Sequence, residues 1–138
     1  MSLEEGRLSR DYLFGRLLAV ADHLEGRALH VAGENRDTNA ARLMQRFADH
    51  PYSTWRSIEL ALVPYETRLR AKRPTVLLRL RTLLDEVMGG FQTDDFTADR
   101  KLSGEFLLAF HCQRSALWQK PEIPGAESPG SAVEFRKE

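Results

Sequence analysis

Between Leu13 and Val31 the apolar residues Leu13, Leu17, Val20, Leu24, Ala28 and Val31 recur at spacings of 4, 3, 4, 4 and 3. That is the period of one face of an α-helix and leaves no room for a strand, whose side chains alternate every second residue. Ser9 is a good N-cap, Asp11 places an anion where the helix dipole favours one, and Gly33 supplies the stop. Gly15 and Gly26 fall inside the pattern, where each costs about 1 kcal/mol relative to alanine. They mark a close helix contact or a bend, with a tolerated surface glycine as the plainer reading of Gly26.

The same period returns four more times. Asp37 is the expected cap of a short helix with Ala40, Leu43, Met44, Phe47 and Ala48 on its apolar side, stopped by Pro51. Ser53 or Thr54 is expected to cap a third helix, in which Trp55, Ile58, Leu62, Tyr65 and Leu69 repeat at 3, 4, 3 and 4. That phase runs straight through Pro64, so one kinked helix is expected and not two, because a true break resets the register. Pro74 suits the first turn of a fourth helix carrying Val76, Leu77, Leu80, Leu83, Leu84, Val87 and Met88, closed by Gly89 and Gly90. Its wide apolar stripe predicts the central position. Thr97 is the expected cap of a last helix with Asp99 in its first turn and Leu102, Phe106, Ala109, Phe110, Ala116 and Leu117 on its buried face. Phe91 and Phe96 are expected to fold back as lids on the core.

No stretch alternates with period two between turn signals. The fold class read from the sequence is all-α, a compact bundle of about five helices over residues 1–119. From Pro121 the chain reads PEIPGAESPGSAVEFRKE, a proline-, glycine- and charge-rich composition that predicts a disordered tail over residues 120–138. A chain of 138 residues has the length of one domain, and Cys112 is its only cysteine, which excludes an intrachain disulfide and suits a reducing compartment. The apolar runs fall well short of the roughly 20 residues that cross a bilayer, and the acidic start MSLEEGR is unlike a basic leader. A cytoplasmic protein is the expectation.

The zero formal net charge hides a sorted distribution: residues 1–35 carry −2, residues 36–81 carry +6 and residues 82–138 carry −4. From Arg68 to Arg81 the chain reads RLRAKRPTVLLRLR, with six cations (Arg68, Arg70, Lys72, Arg73, Arg79, Arg81) in fourteen residues and no acid among them. Since Pro74 joins two helices here, the cations are expected to crowd one corner of the bundle, where a polyanion is attracted. Arg42, Arg46 and Arg56 extend the bias upstream. Sixteen of the twenty cations are arginine, whose planar fork suits phosphate. An arginine-lined surface follows a single strand's backbone without reading its bases, and seven phosphate contacts give a log–log salt slope of about −5. The bland alternative is a solvated face, or cations neutralised by the acidic last third.

Catalytic patterns are missing. His23, His30, His50 and His111 have no spacing that builds a metal site from one helix. His111 and Cys112 are chain neighbours, which on a helix point about 100° apart, so Cys112 is expected to be a small core side chain. Asp94 and Asp95 read as a solvated loop. The glycine-rich phosphate cradles and the nucleophile elbow are absent, and no catalytic residue, metal or cofactor is expected.

Two segments carry a family likeness: DYLFGRLLAVADHLEG at 11–26 and FLLAFHCQRSALW at 106–118. They resemble the C-terminal helical domain of the large subunit of type I-C CRISPR Cascade, and NRDTNAARLMQRFADHPYSTWRSIELALVPY at 35–65 is similar to that domain's second and third helices. In that family the domain is also made alone, from an internal start, as the small subunit, which fits a methionine close upstream of the first helix. The resemblance implies a non-enzymatic subunit that touches further copies of itself and the backbone and large subunits. It also implies a hold on the displaced single-stranded non-target DNA while the guide RNA pairs with the target, and so only an indirect relation to the guide. The expected contact pool is Arg42, Arg46, Arg56, Arg68, Arg70, Lys72, Arg73, Arg79 and Arg81. An interaction module docking an acidic protein is the second reading, and a metal-free reaction around His111 the third.

Overall fold

Six helices and no strand occupy the described residues of the computed structural model, which are 9–92 and 99–118. In chain order they are α1 (Arg10–Ala32), α2 (Asn39–Arg42), α3 (Met44–Asp49), α4 (Pro51–Lys72), α5 (Pro74–Met88) and α6 (Gly104–Trp118). The chain is an all-α bundle. Among the described residues no helix is long and apolar enough to cross a membrane.

The ends of α1 follow the sequence closely. Ser9 accepts a hydrogen bond from the Tyr12 amide at 3.1 Å, and Gly33 takes the left-handed conformation, φ 74°, that a side chain disfavours. Its expected stripe is buried except for Val31, which is partly covered. Phe14, Leu18, Ala19 and Ala21 are buried as well, on the other sides of the helix. Fourteen of the twenty-three residues of α1 are inaccessible, because α6, α4, α5 and α2 all pack on it. The central helix is therefore α1 and not α5, whose buried residues are Leu77, Leu80, Leu84 and Val87 while Leu78 stands 68 % exposed.

Gly15 explains how α6 approaches so closely. A Cβ there would lie 2.3 Å from the Phe106 carbonyl oxygen and 2.7 Å from the Ala109 Cβ, so only glycine fits beneath α6. Gly26 meets nothing within 4 Å and is the tolerated surface glycine.

The next segment departs from the expected single helix. Thr38, not Asp37, is the cap: its hydroxyl oxygen accepts from the Ala41 amide at 3.0 Å and its proton goes to Asp22 Oδ1 at 2.5 Å. The backbone then breaks step at Leu43, φ −99° and ψ 10°, dividing the segment into α2 and α3. Buried Glu25 of α1 fastens this turn, accepting from the Asn39 amide at 2.8 Å, Asn39 Nδ2 at 3.2 Å and Arg36 Nη1 at 3.4 Å. Burial pushes the Glu25 carboxyl up, and those bonds with the Arg36 charge pull it back.

Neither Ser53 nor Thr54 caps α4, which begins earlier, at Pro51, so this proline opens the helix. The missing cap comes from across the chain. Asp99 accepts from the Tyr52 amide at 2.9 Å, the Ser53 amide at 3.4 Å and Ser53 Oγ at 2.6 Å. Desolvation works to raise the Asp99 carboxyl, but these bonds and nearby His50 hold it below the usual range. Thr54, fully buried, donates to the Arg46 carbonyl at 3.3 Å. Once started, α4 continues through Pro64 to Lys72 as a single helix, and Pro74 opens α5.

Asp99 is consequently not in the first turn of α6, which starts at Gly104; the expected cap Thr97 lies outside the described residues, as do Phe96, Asp94, Asp95 and residues 120–138. Leu102 is buried ahead of the helix, held by its amide bond to the Ala48 carbonyl at 2.7 Å. Phe106, Ala109 and Phe110 are buried as expected, while Ala116 and Cys112 are exposed, since only one edge of α6 faces α1. Phe91 closes on the core beside Phe14, ring centroids 4.7 Å apart.

Candidate nucleic-acid interface

Where α4 hands over to α5, the chain turns through one residue. The Arg73 amide bonds to the Leu69 carbonyl at 2.6 Å and its carbonyl accepts from the Leu77 amide at 3.1 Å, while Leu69 and Leu77 anchor the turn in the core. Arg70 and Lys72 sit in the last turn of α4, where the helix dipole favours cations. Buried Leu69, Leu77 and Leu80 fix which residues face outward: Arg70, Lys72, Arg73 and Arg79 are exposed. Among the described residues none of these four pairs with a carboxylate.

The remaining candidates divide. Arg68 turns inward, donating to the Ala28 carbonyl at 3.3 Å, approaching Glu34 at 3.7 Å and lying over the Tyr65 ring at 5.5 Å. Arg81 is held by Glu66 at 3.0 Å. These two clamp α4 to its neighbours. Arg56 stacks over Tyr52 at 5.9 Å and bonds its hydroxyl at 3.2 Å, and Arg42 bonds the Asn39 side chain. Arg46 is exposed on α3, whose end adjoins the start of α4. Arg56 and Arg70 are fourteen residues apart on α4, about 21 Å along its axis, so the nine candidates do not form one patch.

One cation was not legible in the basic run. Arg27 of α1 is half-buried, and burial first, then the charges of Arg79 and Arg73, lower the pKa of its guanidinium. Ala28, the next residue, takes the Arg68 bond from α4 at 3.3 Å, so α1 carries a cation to the side of the α4–α5 corner that holds Arg70, Lys72, Arg73 and Arg79. One turn before Arg27 lies His23, 2 % exposed, with neither ring nitrogen hydrogen-bonded among the described residues. Burial, followed by the charges of Arg27, Arg79 and Arg114, pushes its imidazole down to about 4, so it is neutral at physiological pH. Its ring meets Trp118 edge to face, centroids 4.7 Å apart. The four-residue spacing of His23 and Arg27 is a sequence signal that the two share a side, but nothing in it names the corner they reach.

Two hollows flank these cations. One, of about 600 Å³, runs between α5 and α6 past Leu78, Arg79, Leu83, Glu86 and Leu117. The other, about 500 Å³, lies at the end of α1 between Arg27, His30, Arg36 and Trp118. His111 and Cys112 are exposed on α6, and among the described residues no three His, Cys, Asp or Glu side chains converge as metal ligands would. The arrangement offers clustered positive charge, with no carboxylate paired to Arg70, Lys72, Arg73 or Arg79 among the described residues, although Glu86 and Glu34 each line one of the hollows, and it lies near an accessible indole.

Comparison with curated proteins returns no match. The family model of CRISPR-associated protein Cas_Csd1 matches residues 1–118, which takes in every described helix and the arginine-rich corner. The chain belongs to the Cas_Csd1 family of CRISPR-associated proteins.

Proposed function

We propose that the chain is a non-enzymatic small subunit of a type I-C Cascade that holds the displaced, single-stranded non-target DNA and so stabilises the R-loop. The observation that carries this reading is the exposed set Arg70, Lys72, Arg73 and Arg79, without a carboxylate partner among the described residues and joined by Arg27 from α1. Clustered cations repel one another unless a polyanion intervenes, and a sugar–phosphate strand is the polyanion such a complex creates when guide RNA displaces one DNA strand. Five phosphate contacts give a single-strand salt slope of about −3.5, shallower than the seven-contact value because Arg68 and Arg81 are engaged internally. The subunit works in the cytoplasm beside further copies of itself and the backbone and large subunits, and relates to the guide RNA only through them.

Replacing Arg70, Lys72, Arg73 and Arg79 together by alanine should shorten R-loop lifetime in the assembled complex and reduce the slope by about 3. Unchanged DNA affinity and slope would refute the reading. A second reading, a module docking an acidic protein surface, draws on the hollow beside Leu78, whose apolar wall ends at Arg79 and whose leucine is 68 % exposed. Single-stranded DNA would fail to compete with such a partner, whereas it displaces the partner if the strand owns the corner.

A further inference from the structure

A surface made only of guanidiniums and an ammonium holds a strand by its phosphates and is indifferent to its bases. The hollow at the end of α1 adds another kind of group. Trp118, the last described residue of α6, is 60 % exposed, although an indole of that size ordinarily seeks cover. It is not adrift: the buried His23 ring presses against it edge to face at 4.7 Å, which fixes one side of the indole and leaves the rest accessible. Among the described residues His23 spends neither ring nitrogen on a hydrogen bond, so its role at this spot is packing. Arg27 and Arg36 line the same hollow together with Glu34, whose carboxylate is engaged by Arg36 at 3.8 Å and Arg68 at 3.7 Å; the hollow's volume of about 500 Å³ falls in the range of roughly 300–1,000 Å³ seen for small-ligand sites. Arg27 immediately precedes Ala28, whose carbonyl holds Arg68 of α4 at 3.3 Å, so it stands beside the corner.

We propose that Trp118 and Arg27 form a nucleotide subsite, in which a base of the bound strand stacks on the indole while its phosphate pairs with Arg27, extending the α4–α5 corner by one nucleotide around α1. The inference rests on the strand-binding reading above and adds base stacking to it. Stacking takes any base, because every base has a π-face, so the subsite selects unpaired strands over duplex without selecting sequence. In a duplex the base faces are already covered by their neighbours. Arg36 is not needed for this: it is tied to Glu25 at 3.4 Å and to the Tyr65 hydroxyl, and serves as wall.

The test uses the full chain and a mixed-sequence single-stranded oligodeoxynucleotide, compared with an abasic strand of equal length. Trp55 is 1 % exposed, so quenching of exposed-indole emission reports Trp118, and a Trp118→Phe chain supplies the blank. The expected result is quenching by the mixed strand but not by the abasic one. Trp118→Ala should weaken single-strand binding about tenfold with an unchanged salt slope, and Trp118→Phe should restore most of it. Arg27→Ala should instead lower the slope by about 0.7. If the strand binds with its full slope while Trp118 stays unquenched and Trp118→Ala binds normally, the subsite is overturned and the basic corner stands. If the wild-type chain shows no salt-dependent binding, the corner reading falls and takes the subsite with it.

Discussion

The seam between α1 and α6 and the corner between α4 and α5 are built on opposite terms. At the seam, a glycine admits the facing backbone to contact distance, and polar groups meet partners across it: Arg16 donates to Gln113 at 2.7 Å, the Ser103 amide to Asp11 at 2.8 Å, and Ser9 to Glu105. At the corner, four exposed cations reach no carboxylate among the described residues. Satisfied contacts hold the molecule together, and unsatisfied charge leaves it receptive. Folding energy and binding potential are therefore separable here, and each can be removed with little cost to the other.

The severest way to break the contrast is Gly15→Val. The branched side chain collides with the Phe106 carbonyl and Ala109 and forces the helices apart, and we expect about 3 kcal/mol of stability to be lost in denaturant titration. A loss under 1 kcal/mol would mean that the seam yields and the contrast is overstated.

His23 sits where the two regions meet and ties them to pH. Its imidazole titrates near 4 in the folded chain against an ordinary 6.5, so between those values the unfolded state binds a proton that the folded state refuses. Stability is whole above about pH 6.5 and declines as pH falls toward 4, by up to about 3 kcal/mol from this residue. His23→Leu should flatten that limb, and at neutral pH should be neutral or slightly stabilising because two orphaned ring nitrogens disappear. An unaltered acid limb in the leucine variant would assign the decline to other groups.

Asp99→Ala removes the cap that α4 borrows, with an expected cost of about 1 kcal/mol, and Asp99→Asn should recover part of it. The smallest stability effect is the most telling one. Alanine at Arg70, Lys72, Arg73 and Arg79 together should leave stability within about 0.5 kcal/mol of wild type, with relief of mutual repulsion offsetting lost dipole contacts. A larger loss would make the corner structural and erase the contrast.

Much of this was legible from spacing. The stripe from Leu13 to Ala28, the passage of α4 through Pro64 and the opening of α5 at Pro74 are local matters, settled by period and by which residues a helix admits. What escaped depends on which segments meet. Nothing near Tyr52 announces that Asp99 will cap its helix from the far side of the chain. The centrality of α1 lay in Phe14, Leu18 and Ala21, apolar residues off the stripe that matter only once several helices surround them. The site was half visible. Charge without intervening acid pointed to the corner, but Arg68 and Arg81 are drawn off by Glu34 and Glu66, and Arg27 arrives from a helix about fifty residues earlier in a region of net negative charge. Cys112 was misplaced because α6 buries a narrower face than its apolar content suggests.

The glycine under α6 also sets an order of events during synthesis. Arg16 and Gln113 are 97 residues apart, so α1 leaves the ribosome long before the helix that covers it. Until Phe106 to Phe110 emerge, α1, the helix with the most buried residues among those described, has an open flank, and the closing contact is among the most distant in sequence within the described residues. A nascent chain stalled short of Gly104 would thus carry a sticky, half-dressed α1, and α6 acts as the latch that closes it.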